Sequence, residues 1–436
     1  MIHHDARGLA VTGATPEIIA GLDRFVGELL GLGRGAPDIC ELATAHPDCP
    51  LAQAYAASLY AFAQSPQLAA EGRGWLARAR AAADSASEHE LAFIAAVEAG
   101  VAGDLETAIT AHERIAARWP QETVSAKLAE FHLFETGDAL RQREIMGVFA
   151  AANPRDADVL SMQGFAQELN SEADEAERLA LAALELKADT PWAEHCLAHV
   201  YARRGEIARG IAAFSEWAPR WEAKNQYIRS HNGFHLATLH LAQCEFAPVR
   251  EIYRRSIWGF QPDTVVEHTD AILLLWYLEL AGAAEAAPWR EIAPHVVARS
   301  GEQVFPFLSI LYLFALTRAG AAAEAARAYA AFERYADARS DRPREVWHTV
   351  GLGLARAVLA YAQGKWSEAA EEFAPLLERS GEGGGSDEQR GVFAESYFVS
   401  LVRGGERERA REYLYASIGA HEPTPLQRHR LALAGA

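Results

Sequence analysis

The sequence lacks several things that would narrow its function quickly. Only four cysteines occur in 436 residues, Cys40, Cys49, Cys196 and Cys244, and no two of them form a CxxC pair. That excludes a disulfide framework and a cysteine-rich zinc module, and the thiols read as free in a reducing cytoplasm. No run of eighteen apolar residues exists; the nearest, "AILLLWYLELAGAAEAA", is interrupted by Glu279 and Glu285, so no membrane span is expected. The first residues, "MIHHDARGLAVTG", have no basic region leading into an apolar stretch, so no signal peptide is expected. Basic residues are outnumbered, 41 Lys and Arg against 59 Asp and Glu, for a formal charge of −18. A surface that acidic repels a phosphate backbone, and the short "RR" and "RERAR" segments are offset by nearby glutamates, so nucleic acid is not an expected partner. Runs of β-branched residues are scarce.

What remains is a helical chain. Apolar residues recur at i, i+3, i+4 and i+7, as in "LETAITAHERIAARW", and the loops are short and marked by Gly, Asp, Asn or Pro. A chain of this length needs more than one simple core unless repeats stack to build it. Turn signals fall at Gly103-Asp104, Gly137-Asp138, Asn170-Ser171 and Gly205-Glu206, with positions 103, 137, 171 and 205 spaced by 34. Pro120 and Pro154 keep the same spacing. Thirty-four is the period of tetratricopeptide repeats, each unit being two antiparallel helices. Small residues are needed where the two helices cross. Ala96, Gly164 and Ala198 hold that place in first helices, and Ala108, Ala176 and Gly210 in second helices. Glu130 and Gln142 replace them in one degenerate repeat, and Tyr201 falls at a packing position.

Beyond Gly205 the period loosens, with turns near Cys244-Glu245, Gly282, Gly320, Gly364 and Gly404-Gly405. The predicted fold is therefore all-α, a tetratricopeptide-like right-handed superhelix of roughly nine to eleven hairpins in one domain. Residues 1–88 would form irregular hairpins, 89–222 the regular repeats, and 223–436 longer, divergent ones. The Gly-rich stretch "RSGEGGGSDEQRG" (379–391) either borders the concave space or serves as a flexible connector.

Two His-x-x-x-His pairs stand out, His195 with His199 and His231 with His235. Each places two imidazoles one turn apart on a helix, and His195 and His199 fall at groove-facing positions with Trp192. The next first helix carries Asn232 beside His231, with His240 further on, and the one after carries Glu267, His268 and Asp270. Three readings stay open. The four histidines could ligate a divalent metal, although "HCLAH" lacks the glutamate of an HExxH site. They could form a metal-free binding or catalytic cluster, with His195 or His231 as general base and Asp270 orienting it. They could also be packed structural residues, like His132. Cys196 is expected in the core, about 100° round the helix from His195. Trp258, Trp276, Trp347 and Trp366 are expected to pack between helices.

The segments "DTPWAEHCLAHVYARRGEIARGI" and "HNGFHLATLHLA" resemble the tetratricopeptide repeat protein 38 family through Trp192, Ala193, His195, Ala198, His199, Val200, Gly210, Ile211, His231, Asn232 and His235. "EHTDAILLLWYLEL" adds Asp270, Ala271, Leu274, Leu275 and Trp276, and "GGSDEQRGVF" adds Gly385, Ser386, Gln389 and Arg390. The likeness runs over about 90–410. It implies a repeat fold and a shared polar site, without naming a reaction. The sequence departs where the family carries histidine after Gly-Ser, since Asp387 stands there. It departs again at Ser309 and Leu311, where the family carries Asp-x-His. The leading expectation is a concave pocket for a small molecule or short peptide, lined by Trp192, His195, His199, His231, Asn232, His235, His268, Asp270 and Arg390. An enzyme in that pocket, a hydrolase or lyase with or without metal, and a protein-interaction scaffold are the alternatives. A homodimer through the apolar ends of the solenoid is left open.

Overall fold

A computed structural model of the chain describes residues 3–418 and 421–435, the side chains of residues 341 and 342 excepted. It is all-α apart from one small antiparallel pair, His3–His4 with Ala10–Val11. That pair was not expected from the sequence. It forms because the Asp5 carboxylate accepts the Arg7 and Leu9 amides while Gly8 takes a left-handed backbone. After Pro16–Leu30, Ile39–Ala45, Pro50–Ser58 and Pro66–Ala81, the chain runs as successive helical hairpins. These are Glu88–Val101 with Leu105–Arg118, Thr123–Thr136 with Ala139–Ala152, Ala157–Leu169 with Ala173–Leu186, and Pro191–Arg203 with Ile207–Trp221. Later first helices are Gln226–Ala242, Val265–Leu280, Pro306–Arg318, Leu352–Ala362 and Asp387–Arg403. Among the described residues no helix is long and apolar enough to cross a membrane.

Each hairpin turns on one residue. Gly103, Gly137, Ser171 and Gly205 have φ of +76°, +69°, +64° and +69°, which is the 34-residue period expressed in the backbone. The looser half turns the same way, at Cys244, Gly282, Gly320, Gly364 and Gly405. In two of these hairpins the following residue caps the second helix: the Asp104 side chain accepts from the Thr107 amide and Asp138 from that of Arg141. Close crossing at the small positions is real. A Cβ on Gly164 would lie 3.4 Å from the Ala176 carbonyl oxygen, and one on Gly210 would lie 2.9 Å from a Leu239 methyl.

The chain divides into two compact units, residues 1–197 with 220–228, and residues 198–219 with 229–436. The border falls within the Pro191–Arg203 helix, between His195 and His199. The first unit buries Tyr55, Phe93, Phe149 and Phe165 completely or nearly so. The second has a continuous apolar core in which Trp276 stacks on Phe314 at 3.7 Å between centroids. Trp347 packs on Tyr335 and Trp366 on Tyr361, so these tryptophans do pack between helices. The Gly-rich stretch is no loose connector. Gly383, Gly384, Gly385 and Ser386 are buried, and Gly385 lies against the Phe307 ring.

Two hairpin turns carry a side chain on a left-handed backbone, a conformation that costs L-residues about 1 kcal/mol or more. Ser171→Gly is expected to raise unfolding stability by about 0.5–1 kcal/mol in urea titration. Gly205→Ala is expected to lower it by about 2 kcal/mol, because its Cβ would also stand 2.7 Å from the His421 ring. Equal stability of wild type and both variants would remove the turn argument.

Candidate functional site

First helices in this chain are buried on nearly all sides, so their polar residues must find partners inside. In the first unit, Trp192 opens the Pro191–Arg203 helix and His195 follows three residues on. Their rings stack at 4.3 Å between centroids with an interplanar angle of 17°. The Trp192 indole N–H donates to Glu130 Oε1 at 2.8 Å, and the Lys127 ammonium lies 3.9 Å from the Trp192 ring centroid. Lys127 also pairs with Glu130 Oε2 at 2.6 Å. Glu130 therefore breaks the small-residue rule of its repeat because it serves this buried pair. On the same helix, Glu194 accepts from Trp221 Nε1 at 2.6 Å, and burial lifts its carboxyl to about 7. Cys196 is buried in the core, as expected.

The second unit assembles the larger cluster. The Gln226–Ala242 helix contributes Ser230, His231, Asn232 and His235, all buried. Asp270, on Val265–Leu280, is fully buried between two of them. Its Oδ1 is 2.9 Å from His231 Nδ1, and its Oδ2 accepts from the Ser230 hydroxyl at 2.7 Å. The His235 ring lies 4.8 Å from His231 and 4.6 Å from His199. His199 Nδ1 in turn meets a Glu388 carboxylate oxygen. The row Ser230, Asp270, His231, His235, His199, Glu388 thus sets three imidazoles between two carboxylates.

This geometry fixes chemical roles. Asp270 holds the proton of His231 on Nδ1, which leaves Nε2 as the basic nitrogen. Ser230 donates to the carboxylate and to no imidazole, so it orients Asp270 and is not set up as a nucleophile. Burial, reinforced by His199 and His231, holds His235 well below the ordinary imidazole range. The middle ring is therefore neutral. His231 turns Nδ1 to a carboxylate, the arrangement that orients an imidazole toward a metal or ligand through Nε2.

Two predicted site residues have other work. His268 is sandwiched, its Nδ1 accepting from the Tyr312 hydroxyl at 3.0 Å and its Nε2–H donating to the Pro262 carbonyl at 2.6 Å. Burial lowers its pKa to about 4. Arg390 folds back on its own segment, onto the Gly385 carbonyl and Asp387. Sequence reasoning passed over Ser230 and Glu388, although Ser230 directly precedes His231 and Glu388 lies within the Ser386–Gln389 match. It also passed over Lys127 and Glu130; only the broken small-residue rule at Glu130 marked that place.

No family model matches the chain. Among solved structures, it is similar to a chain of the "Structure of Naa15/Naa10 bound to HypK-THB", at 12% identity and a TM-score of 0.26, covering 80% of this chain. The chain spans about 60% of that chain's length. At that TM-score the likeness adds nothing to the hairpin architecture read from the helices themselves.

The neutral imidazoles set an acid limit. His112, His235 and His268 all titrate below the usual 6.5 because they are buried. The unfolded chain takes up protons near 6.5 that these folded sites refuse, so stability is complete above that pH and falls as pH drops below it. Urea titrations at pH 7.5, 6.5 and 5.5 are expected to show this loss. His235→Gln should flatten the slope by up to one proton, about 1.4 kcal/mol per pH unit. An unchanged slope would mean that His235 is not neutral in the fold.

Proposed function

We propose that this tetratricopeptide-like repeat protein binds a small polar molecule, or the polar end of a short peptide, against the histidine cluster of its second unit. His199, His231, His235 and Asn232 would make the polar contacts, with Asp270 orienting His231 and Ser230 holding Asp270. The observation that carries the reading is the Ser230–Asp270–His231 row. A buried carboxylate held by two donors and aimed at one imidazole is an expensive arrangement for packing alone, and it presets one ring nitrogen toward a ligand. Trp192 and His195 stay candidate contacts of the first unit by itself, while Arg390 belongs to the same proposal as a candidate contact. So does membership of the tetratricopeptide repeat protein 38 family, which rests on the motifs alone.

A second reading has its own support. An imidazole with Nδ1 held by a carboxylate is the arrangement of a general base, so His231 would activate water or a substrate hydroxyl in a hydrolase or lyase. A divalent metal on the histidines is a variant of it, supported by the carboxylate that orients His231. Elemental analysis of the purified full chain separates the two forms. Stoichiometric zinc or another first-row metal, lost in His231→Ala, selects the metal form.

Thermal-shift measurement against small carboxylic acids, amines, amides and sugars is the direct test. At least one class is expected to raise the melting temperature of the wild type. His231→Ala should abolish that shift, and Asp270→Asn should weaken binding about tenfold, with helical circular dichroism unchanged. A shift that both variants keep in full would rule out the His231 reading.

A further inference from the structure

Residues 3–30 meet the rest of the first unit across long stretches of sequence. Successive hairpins pack on their neighbours in the chain, whereas Pro16–Leu30 also reaches past them, onto Thr123–Thr136. Ile18, Leu22, Phe25 and Leu29 are buried at i, i+4, i+7 and i+11, and Glu17, Ala20, Arg24 and Gly27 face water. The Phe25 ring lies 5.0 Å from that of Tyr55. The segment before the helix is tied to it by the Ala6 amide, which donates to Asp23 Oδ1 at 3.1 Å. This segment adds Arg7, whose Nη2 donates to the Tyr55 hydroxyl at 3.4 Å, and Thr12, whose hydroxyl donates to Glu90 Oε2 at 2.6 Å. Residues 3–30 are thus an arm, bonded within itself and seated on the helices that follow.

The arm joins the rest through Gly31-Leu32-Gly33-Arg34-Gly35. The left-handed place after a helix is ordinarily taken by glycine. Here glycines stand on both sides of it and Leu32 occupies it, with φ of +53°. Ser171 and Cys244 share that backbone, but they belong to the repeat turns and Leu32 does not. The reversal is closed by Glu28 Oε2, which accepts from the Gly35 amide at 2.8 Å, and by the buried Leu32 side chain. Arg34 Nε fastens the far side of the hinge, donating to the Lys224 carbonyl at 2.9 Å.

We infer that residues 3–30 exchange between two copies of this chain, each arm seating on the other copy's first unit as residues 31–35 straighten. The seated arm shows what that surface recognises, and a second copy carries the same arm. Exchange therefore remakes the Arg7–Tyr55, Thr12–Glu90 and Phe25–Tyr55 contacts unchanged and needs no new interface. Only the hinge differs between the two forms. The closed hinge holds Leu32 in a strained backbone, and the straight one releases it. Strain of this kind gathers at segments that switch, and short hinges under strain favour swapping. The Glu28–Gly35 bond and the packing of Leu32 oppose it. A tethered arm acts at an effective concentration of roughly millimolar or more, so the closed monomer prevails in dilute solution and the exchanged dimer gains as concentration rises. The arm and its seat lie within the first unit, so this inference stands apart from the histidine row of the second.

The test is the mass of the full chain by size-exclusion chromatography with light scattering, at about 5 µM and about 500 µM. Wild type is expected to be monomeric at the lower concentration and partly dimeric at the higher. Glu28→Ala removes a bond that only the closed hinge makes, and should raise the dimerisation constant at least about fivefold. Deleting Gly33–Gly35 leaves too little chain to fold back, so that variant should be dimeric at both concentrations. Hydrogen exchange identifies the seat: amides 16–30 should be as protected in that dimer as in the wild-type monomer. A folded deletion variant that stays monomeric, or a dimer whose arm amides exchange freely, overturns the inference. If the deletion variant does not fold, Glu28→Ala decides. A dimer fraction equal to that of wild type, or no dimer in either protein, overturns the inference.

Discussion

One left-handed residue per hairpin is the constraint on which the rest of this structure depends. At Gly103, Gly137, Ser171 and Gly205 the chain reverses in a single step, and the second helix begins two residues on, at Leu105, Ala139, Ala173 and Ile207. Because a step of this kind recurs in each later hairpin, at Cys244 and Gly282 as well, neighbouring first helices lie side by side. Side chains far apart in sequence then meet. Ser230, His231 and Asp270 do so across 40 residues. Gly164 and Gly210 permit the close crossings that keep each hairpin tight.

Tight stacking has an electrostatic consequence. First helices are largely enclosed, so a polar residue on a buried face of one is cut off from water and must be matched. The first unit answers with Lys127, Glu130, Trp192 and His195, where one carboxylate serves both an ammonium and an indole. The second answers with a row in which carboxylates stand at both ends and a neutral imidazole at the centre. The ring between them carries no charge. Such a row stays intact at neutral pH and loses its balance on acidification.

Much of the fold was legible because turns and crossings follow local rules. Glycine at a left-handed position and small residues at crossings are imposed by backbone sterics, so Gly137 and Gly164 announce themselves. Ser171 and Cys244 keep the same backbone without glycine and were readable only by phase. The histidines of the second unit were legible as helical pairs, and Asp270 as their neighbour. Glu388 was not, because its partner lies 189 residues away in sequence. Nor was the role of His268: helical phase could put it near the cluster, but not show that Tyr312 and Pro262 engage both its nitrogens. The burial of Gly383–Ser386 was equally hidden, since glycine-rich composition is the same in a flexible linker and in a close-packed strap.

The central claim is that Asp270 holds His231 in one tautomer within a buried row. Long-range nitrogen–proton correlation spectra of histidine-labelled protein at pH 7.5 test it directly. The expected spectrum has the His231 proton on Nδ1, a neutral His235 pattern, and loss of the fixed His231 tautomer in Asp270→Asn. A His231 proton on Nε2, or tautomers already averaged in the wild type, would contradict it.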